Sequence, residues 1–390
     1  MLGLYFHWPY CLSKCIYCDF GSLVINDKQC KDNEFQNLYL ECCKKQLQYF
    51  ASKIDTKQKI TTIYFGGGTP SLIKEEIIEK LLQTSSNLFN ISKDCEITLE
   101  ANPTSFEKKK FLNFKQLGIN RISLGVQSMN NNNLLWLGRK HNIEQAIDTI
   151  YEIKKHFNKW SFDLIYGLPK QTLNQWIDEL KQALLLAPQH LSLYTLIIDK
   201  NTPLGKMVDI GNIKPKTENE LAEFYISTND FIKQNSQLKQ YEVSNYAINN
   251  FESKHNLNYW LSYDYIGVGS GAHGRLTYKD NRRYEIQNIF NPNEWRNNIL
   301  QKKQNGLSVE KQINQQEQVE EILIMGLRTK YGINFDDIKQ RFNLNLLTFL
   351  NINKLYDFEK QNFLTFKNNN LILTAQGLII LDEILRNILK

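Results

Sequence analysis

Short apolar segments alternate with longer amphipathic segments over the first half of this 390-residue chain. The apolar segments have strand length and the amphipathic segments have helical periodicity. This pattern predicts six β/α units, with strands at residues 4–6, 61–65, 96–100, 121–126, 161–166 and 190–197. Alternating units of this kind form a parallel sheet with right-handed crossovers, so the fold class that we expect is α/β.

The pattern changes after residue 235. Residues 236–311 are irregular and rich in aromatic side chains, and we interpret them as extra strands that extend the sheet. From residue 312 the order is three helices, a strand pair at 364–366 and 371–373 across an asparagine turn, and a helix capped by Thr374. That order is typical of a winged-helix module. Its helices carry no dense basic stripe, so we expect an interaction or lid role rather than nucleic-acid binding.

Three cysteines near the N-terminus, Cys11, Cys15 and Cys18, have the spacing C-x3-C-x2-C. Three thiolates leave one iron of a [4Fe-4S] cluster without a protein ligand, and metal sites that carry out chemistry keep such an open position. A structural zinc site is the alternative. Zinc needs four nitrogen or sulfur ligands, and no matching pair occurs among the remaining cysteines, which are Cys30, Cys42, Cys43 and Cys95.

Composition restricts the setting of this motif. A hydrophobic content of 42% in 390 residues is enough for a substantial core. No run approaches the about eighteen apolar residues of a membrane span, and the N-terminus has no basic leader with a cleavage site. We therefore expect a cytoplasmic protein whose clustered cysteines stay reduced. The net charge of +6 is too diffuse to indicate a nucleic-acid partner.

A second motif, Gly66-Gly67-Gly68-Thr69, ends the apolar segment at residues 61–65. Glycines at a strand end let backbone groups approach a ligand closely. Together the two motifs resemble the radical S-adenosylmethionine (SAM) superfamily. In that superfamily the open iron chelates the amino and carboxylate groups of SAM, and an electron from the cluster cleaves SAM to a 5′-deoxyadenosyl radical.

The resemblance implies an architecture for the whole chain. Residues 1–235 would form a partial (β/α)6 radical SAM barrel, and chemistry in such barrels sits at the carboxyl ends of the strands. Residues 236–311 would be accessory strands and a linker that cover the barrel mouth. Residues 312–390 would be the C-terminal winged-helix-like domain.

Over nearly its whole length the chain resembles the coproporphyrinogen III dehydrogenase family. This family includes the oxygen-independent heme-biosynthetic enzyme and the HemW heme chaperones. The resemblance implies cluster ligation by Cys11, Cys15 and Cys18. It also implies contacts with SAM by Tyr5, Tyr17, Gly67, Gly68, Thr69, Glu100, Gln127, Arg139 and Asp163.

These residue types suit the roles that the resemblance implies. Glu100 and Asp163 can accept hydrogen bonds from amino or ribose hydroxyl groups, and Arg139 can hold a carboxylate. Tyr17, next to Cys18, can pack against adenine. For each residue the alternative is an ordinary buried polar side chain with a partner.

Three features separate the two branches of the family. Phe20 stands where the dehydrogenase carries a further cysteine, and Tyr5 is already in the first strand, without the extension that helps to cover the porphyrinogen in that enzyme. The segment His255-Asn256-Leu257-Asn258-Tyr259-Trp260 matches the HN-x-x-YW signature of the HemW branch. A neutral imidazole on a loop suits heme iron as an axial ligand, and the two aromatic rings could stack on the macrocycle. The alternative is a loop histidine bonded to backbone with two core aromatics, and His7 and His273 are rival candidates for the ligand.

The sequence thus predicts a heme chaperone that binds a [4Fe-4S] cluster, SAM and heme, and transfers heme to an apo-hemoprotein such as a respiratory protein. A reductase or flavodoxin-type electron donor is a further implied partner, whereas peripheral membrane contact and a homodimer stay open. Coproporphyrinogen III dehydrogenase activity is the alternative, and we expect little or none. A third interpretation, an electron-transfer or zinc-binding regulatory protein, leaves the glycine motif unexplained.

Overall fold

The computed structural model describes residues 1–104 and 110–390. Its strands, in chain order, are β1 (Leu2–Trp8), β2 (Tyr10–Cys11), β3 (Leu23–Val24), β4 (Lys59–Gly67), β5 (Asn90–Ala101), β6 (Arg121–Gln127), β7 (Lys159–Tyr166), β8 (His190–Thr195), β9 (Lys239–Glu242), β10 (Asn245–Ala247), β11 (Asp264–Val268), β12 (His273–Thr277), β13 (Arg283–Asn288), β14 (Leu307–Gln312), β15 (Ile333–Asn334), β16 (Leu364–Lys367) and β17 (Asn370–Leu373).

The helices of these two ranges connect and cover the strands. In chain order they are α1 (Asp27–Lys31), α2 (Asn33–Lys53), α3 (Glu75–Leu88), α4 (Phe111–Gln116), α5 (Asn131–Trp136), α6 (Ile143–His156), α7 (Leu173–Leu185), α8 (Pro203–Asp209), α9 (Glu218–Asn235), α10 (Lys254–Trp260), α11 (Pro292–Leu300), α12 (Gln315–Gly326), α13 (Phe335–Phe342), α14 (Ile352–Lys360), α15 (Ala375–Ile379) and α16 (Leu381–Ile388).

One twelve-stranded sheet dominates the described residues, in the order β14-β13-β12-β11-β1-β4-β5-β6-β7-β8-β10-β9. The six strands predicted from the sequence are β1 and β4 to β8, and each pairs with the next in parallel. The predicted α/β class is confirmed. A seventh parallel strand, β11, pairs with the free edge of β1, with Leu2 opposite Asp264 and Phe6 opposite Val268. The remaining strands are antiparallel and extend both edges of the sheet.

The long helices begin at side chains that cap their free backbone N–H groups. Asn142 accepts a hydrogen bond from the backbone of Gln145 at the start of α6, and Thr172 does the same with Gln175 at the start of α7. Each helix then buries one apolar face on the sheet. The capping and the amphipathic pattern therefore place the helices on the outer face, which leaves the inner face of the sheet to polar side chains.

The sheet curls around a cavity of about 280 Å³, called the lumen below. Each of the six predicted strands contributes at least one side chain to its lining, and β10 and the segment of α10 with its N-cap contribute the rest. The lining residues are Tyr5, Tyr64, Thr98, Glu100, Arg121, Ser123, Ser161, His190, Ser192, Tyr194, Asn245, Ser253, His255, Asn256 and Tyr259. We call the end where strands β4 to β8 finish the mouth and the opposite end the floor.

The last segment has a core of its own, formed by residues between Val319 and Ile388. It contains a three-stranded antiparallel sheet in the order β15-β17-β16, and the predicted strand pair is its β16 and β17. Thr374 caps α15 as the sequence predicts. Arg341 joins this module to the barrel, because its guanidinium donates to the carbonyls of Leu261 and Ser262 and lies 4.0 Å from the ring of Tyr263.

Candidate functional site

The three cysteines lie at the mouth, on the loop of residues 12–22 and at its start. This cysteine loop leaves β1 through the short strand β2, which pairs with β3 and fixes both ends of the loop. Cys11 is buried and Cys15 and Cys18 are half-buried. The hydroxyl of Thr69 donates to Cys11 Sγ at 3.4 Å. Burial raises the pKa of the Cys11 and Cys18 thiols, so without a bound metal both stay protonated at neutral pH.

Among the described residues, no three His, Cys, Asp or Glu side chains approach closely enough to share one metal ion. That finding concerns an ion held by all of its ligands together. A [4Fe-4S] cubane instead gives each thiolate an iron of its own. The donor set, three thiols on one loop with two of them reaching the surface, therefore fits a cluster with one iron left open.

The glycine motif brings the end of β4 against the cysteine loop. A β-carbon on Gly68 would lie 2.5 Å from the carbonyl oxygen of Tyr10 and 3.0 Å from Cys11 Sγ. Gly67 has φ of +113°, and a β-carbon there would lie 2.8 Å from the ring of His7. The sequence-based explanation, that glycine leaves room for the ligand itself, is thus incomplete: at Gly68 the space that a side chain would need is filled by the loop that carries the cysteines.

Two half-buried carboxyl groups lie just below the mouth: Glu100 lines the lumen, and Asp163 lies 3.5 Å from the hydroxyl of the lining residue Ser123. The hydroxyl of Tyr64 donates to Glu100 Oε1 at 2.8 Å, and the backbone N–H of Gly67 donates to Oε2 at 3.2 Å. Burial nevertheless raises the pKa of Glu100 to about 7. Burial likewise raises the pKa of Asp163 to about 6, although the hydroxyls of Ser192 and Ser123 oppose the shift. Two carboxylates held out of water in this way favour a ligand that brings hydrogen-bond donors or positive charge.

Arg139 links the carboxyl ends of three strands to the cysteine loop. Its Nη2 donates to the side chain of Asn102 and, at 2.8 Å, to the carbonyl of Gly125. Its Nη1 lies 3.4 Å from Cys15 Sγ. Asn102 in turn donates to Thr69 Oγ1 at 3.3 Å. The guanidinium is therefore already positioned beside the cysteines, where it can hold an anionic group of a ligand.

The other predicted SAM contacts also reach the mouth. Tyr17 packs on a small apolar cluster that includes Leu137 and Leu204, next to the cysteine loop. Gln127 ends β6 with φ of +74°, a left-handed conformation that is uncommon outside glycine and that marks functional turns. Tyr5 lines the lumen and its hydroxyl lies 3.0 Å from His7 Nδ1.

Sequence reasoning missed two residues of this site. Asn102 connects Arg139 to Thr69, and Tyr64 holds Glu100 while its ring stacks on His255 at 4.9 Å. A signal was available for both, since each lies close to a selected motif or residue. Tyr64 lies two residues before Gly66, the first residue of the glycine motif, and Asn102 lies two residues after Glu100.

His255 lies elsewhere than the sequence suggests. It is on helix α10 rather than on a loop, and only 1% of its surface is exposed. Its Nδ1 bonds with Thr62 Oγ1 at 2.8 Å and its Nε2 with the hydroxyl of Tyr259 at 2.7 Å. Thr62 precedes Gly67 by five residues of strand, roughly 16 Å at about 3.3 Å per residue. The expectation that His255 lies on a loop is therefore wrong, because it lies on α10, which closes the floor of the lumen. Its role as a heme ligand stays a prediction.

The two aromatic residues of the same signature point to different places. Tyr259 faces the lumen and packs edge-on against Tyr265 with ring centroids 4.5 Å apart. Trp260 lines a groove of about 190 Å³ between α10 and the C-terminal module, and its buried indole N–H has no hydrogen-bond partner among the described residues. These two rings do not form one stacking surface.

The chain is similar to known proteins in both sequence and fold. Residues 5–183 match the Radical SAM superfamily, and residues 313–380 match the HemN C-terminal domain. A protein named radical S-adenosyl methionine domain-containing protein 1, mitochondrial, from Danio rerio is 34% identical over 99% of this chain and 86% of its own length.

Bacterial relatives carry a different name. Proteins named heme chaperone HemW are 40% identical in Buchnera aphidicola subsp. Schizaphis graminum, over 71% of this chain and 70% of the relative, and 37% identical in Escherichia coli, over 72% of each. The solved structure of the coproporphyrinogen III oxidase HemN from Escherichia coli, titled a radical SAM enzyme, superposes with a TM-score of 0.80 at 21% identity. It covers 99% of this chain and 89% of HemN, and at that identity it shows a shared fold.

Proposed function

The chain belongs to the family of radical SAM proteins that includes the proteins named heme chaperone HemW, and from that membership we propose that it is itself a heme chaperone. It would bind a [4Fe-4S] cluster, SAM and heme, and deliver heme to an apo-hemoprotein. The observation that carries the proposal is identity of up to 40% to relatives named heme chaperones. Phe20, at the position where the dehydrogenase carries a cysteine, supports the same branch.

The radical SAM family implies a [4Fe-4S] cluster and SAM. Cys11, Cys15 and Cys18 would hold three irons, and the fourth iron would stay open for SAM. A bound cluster of this kind supplies an electron for cleavage of the SAM sulfonium. The residues around it do the binding and shielding: Thr69 donates to a ligand thiolate, and Arg139 lies beside another.

The SAM contacts divide by charge. Glu100 and Asp163 are half-buried carboxyl groups suited to the ammonium and the ribose hydroxyls of SAM, whereas Arg139 suits its carboxylate. Gly67 and Gly68 keep the strand end narrow, and Gln127 and Tyr17 border the space that remains. Burial of opposite charges at fixed positions would orient SAM in a single way.

Heme transfer requires a site that can accept and release a large flat molecule. Ligation of heme iron by His255, as the sequence predicts, requires that the imidazole leave Thr62 and Tyr259 and that heme reach the floor. Helix α10 closes the floor, whereas Cys15 and Cys18 at the mouth are partly exposed. We therefore place heme at the mouth in this proposal, near the cysteine loop.

The acceptor, the electron donor and the compartment belong to the proposal as well. We expect an apo-hemoprotein as acceptor and a reductase or flavodoxin-type donor for the cluster. Within residues 1–104 and 110–390, no helix is both long and apolar enough to cross a lipid bilayer. Residence in the cytoplasm, peripheral contact with a membrane and formation of a homodimer remain to be tested.

Anaerobic reconstitution followed by a transfer assay tests the proposal. The reconstituted protein is loaded with one heme, mixed with an apo-hemoprotein that regains activity on binding heme, and assayed in parallel with coproporphyrinogen III, SAM and a reductant. We expect heme binding, recovery of the acceptor and no decarboxylation. Efficient formation of protoporphyrinogen would instead assign the dehydrogenase activity, and failure to bind heme would refute the chaperone function.

A further inference from the structure

The chain has six histidines, and five of them are already committed to contacts within the protein. His7, His190 and His255 are buried and hydrogen-bonded to tyrosine hydroxyls. His141 is bonded to a backbone carbonyl, and His156 is paired with Glu152 on α6. His273 differs from all of these: it is exposed, and its ring has no hydrogen-bond partner among the residues that the structure describes.

His273 begins β12, at the same end of the sheet as the cysteine loop. Strand β12 is antiparallel to β11, and β11 is parallel to β1, so the first residue of β12 lies at the mouth. Side chains alternate along a strand, and Leu276 packs in the core on the outer face. His273 and Arg275 therefore project from the opposite, inner face, the face that continues into the lumen.

Apolar surface lies beside this imidazole. Phe290 is 67% exposed, and its ring packs on two glycines: a β-carbon on Gly21 would lie 2.7 Å from it, and one on Gly271 would lie 3.5 Å from it. Gly271 precedes His273 by two residues, roughly 7 Å of extended chain. Phe20, next to Gly21 on the cysteine loop, is 62% exposed. Phe290 and Phe20 therefore provide exposed aromatic surface on and against the cysteine loop.

A free imidazole next to exposed aromatic rings is the combination that binds a metalloporphyrin. The imidazole supplies an axial nitrogen to iron, and the rings cover part of the macrocycle. Partial burial against the sheet and the charge of Arg275 lower the pKa of His273, so the ring is neutral at physiological pH and its nitrogen lone pair is available. The imidazole is exposed, which suits a ligand that must later be released.

On the premise of the proposed heme chaperone function, we propose that His273 is the axial ligand of the heme bound at the barrel mouth, with the macrocycle lying against Phe290 and Phe20. Its imidazole forms a bond to the heme iron in place of water. The heme then lies alongside the cysteine loop, because Phe290 contacts Gly21 within that loop. The HN-x-x-YW helix has a different role in this arrangement, as the floor of the lumen and the contact to the C-terminal module.

Heme titration of reconstituted protein tests this assignment. We expect His273→Ala to bind heme at least about tenfold more weakly than wild type, since loss of even an outer partner of a metal ligand costs about that much. His156→Ala, which alters a histidine on α6, is the matched control and should bind as wild type does. Phe290→Ala should weaken binding without changing the type of iron ligand in the spectrum.

A ligand exchange distinguishes coordination from a structural effect. His273→Cys should shift the Soret band to that of a thiolate-bound heme, and free imidazole should restore the wild-type spectrum of His273→Ala. Unchanged affinity and spectrum for both variants would overturn the assignment while leaving the chaperone function intact. Loss of heme by His255→Ala alone would also overturn it, in favour of the floor. Wild-type protein that binds no heme at all would refute the chaperone function and this assignment with it.

Discussion

Glu100→Gln should remove most of the pH dependence of SAM binding. In the unliganded protein, burial raises the pKa of Glu100 to about 7, so the carboxyl is largely protonated under mildly acidic conditions. A carboxyl that contacts the SAM ammonium must be ionised in the complex. Binding then includes the cost of removing that proton, and this cost disappears as the pH rises through about 7.

The magnitude follows from the titration curve. With a pKa of about 7, about 3% of Glu100 is ionised at pH 5.5 and about 75% at pH 7.5. SAM affinity of the wild type should therefore rise about 25-fold over this range, or about 2 kcal/mol, from Glu100 alone. Asp163, with a pKa of about 6, adds about a further fourfold.

Equilibrium binding of SAM to reconstituted protein, measured between pH 5.5 and 7.5, gives the pH dependence of SAM affinity for the wild type and for Glu100→Gln. Glu100→Gln should retain only the shallow dependence due to Asp163, and its affinity should exceed that of the wild type at no pH above 7. Glu76→Gln, a change at an exposed position in the first turn of α3, serves as the control and should keep the wild-type slope. An unchanged slope in Glu100→Gln would show that this carboxyl does not contact the ammonium.

The same carboxyl makes the stability of the unliganded protein depend on pH. Its folded-state pKa of about 7 lies above the ordinary value of 4.5. The protonated carboxyl therefore contributes stability that is complete below about pH 4.5 and is lost as the pH rises through about 7. Denaturation at pH 5 and pH 8 should show that this carboxyl makes the wild type about 2–3 kcal/mol less stable at the higher pH. Glu100→Gln should lack this loss of stability.

Three further predictions concern other parts of the structure. Gly68→Val should displace the cysteine loop and abolish cluster and SAM binding, because its β-carbon would lie 2.5 Å from the Tyr10 carbonyl oxygen. Gly274→Ala is the control, since its β-carbon would lie no closer than 3.2 Å to any neighbouring atom. Intact iron content in Gly68→Val would contradict the explanation. Reconstituted protein should hold about four irons per chain. Iron analysis should show the cluster lost on alanine substitution at any of Cys11, Cys15 and Cys18 but kept in Cys30→Ala and Cys95→Ala. Stoichiometric zinc without iron would instead indicate a zinc site. Arg341→Ala should lower the free energy of unfolding by about 1.5–3 kcal/mol, the scale of a charged hydrogen bond, whereas Arg386→Ala, at a position with a 75% exposed side chain, should leave it unchanged in urea denaturation.

The parallel sheet was predictable because each of its strands is a short apolar segment bounded by polar residues. The mouth residues were implied by the resemblance to the radical SAM family. The structure brings Cys11, Thr69, Glu100 and Arg139 to the same end of the sheet. What spacing could not give is contact between distant segments. The packing of Gly68 on Tyr10 joins residues nearly sixty positions apart, and only the fold reveals it.

The location of His255 was beyond sequence reasoning for a different reason. Helix α10 has only seven residues, too few for periodicity to distinguish it from a loop. Its position depends on strand β11, which follows it in the chain. Strand β11 pairs in parallel with β1, which lies more than 250 residues earlier in the sequence. Alternating strands and helices predict that strands adjacent in the sequence are also adjacent in the sheet. Strand β11 does not follow that rule, because its parallel partner is β1.

The pairing of β11 with β1 also determines when the sheet can finish folding during synthesis of the chain. Strand β1 is finished by Trp8, yet the strand that covers one of its edges begins at Asp264. Ribosomes add roughly 5–20 residues per second, so that edge stays uncovered for roughly 10 to 50 seconds of synthesis. Phe290, which packs on the cysteine loop, emerges later still. The nascent chain thus presents its three cysteines, uncovered on this side, long before the mouth can be assembled around them.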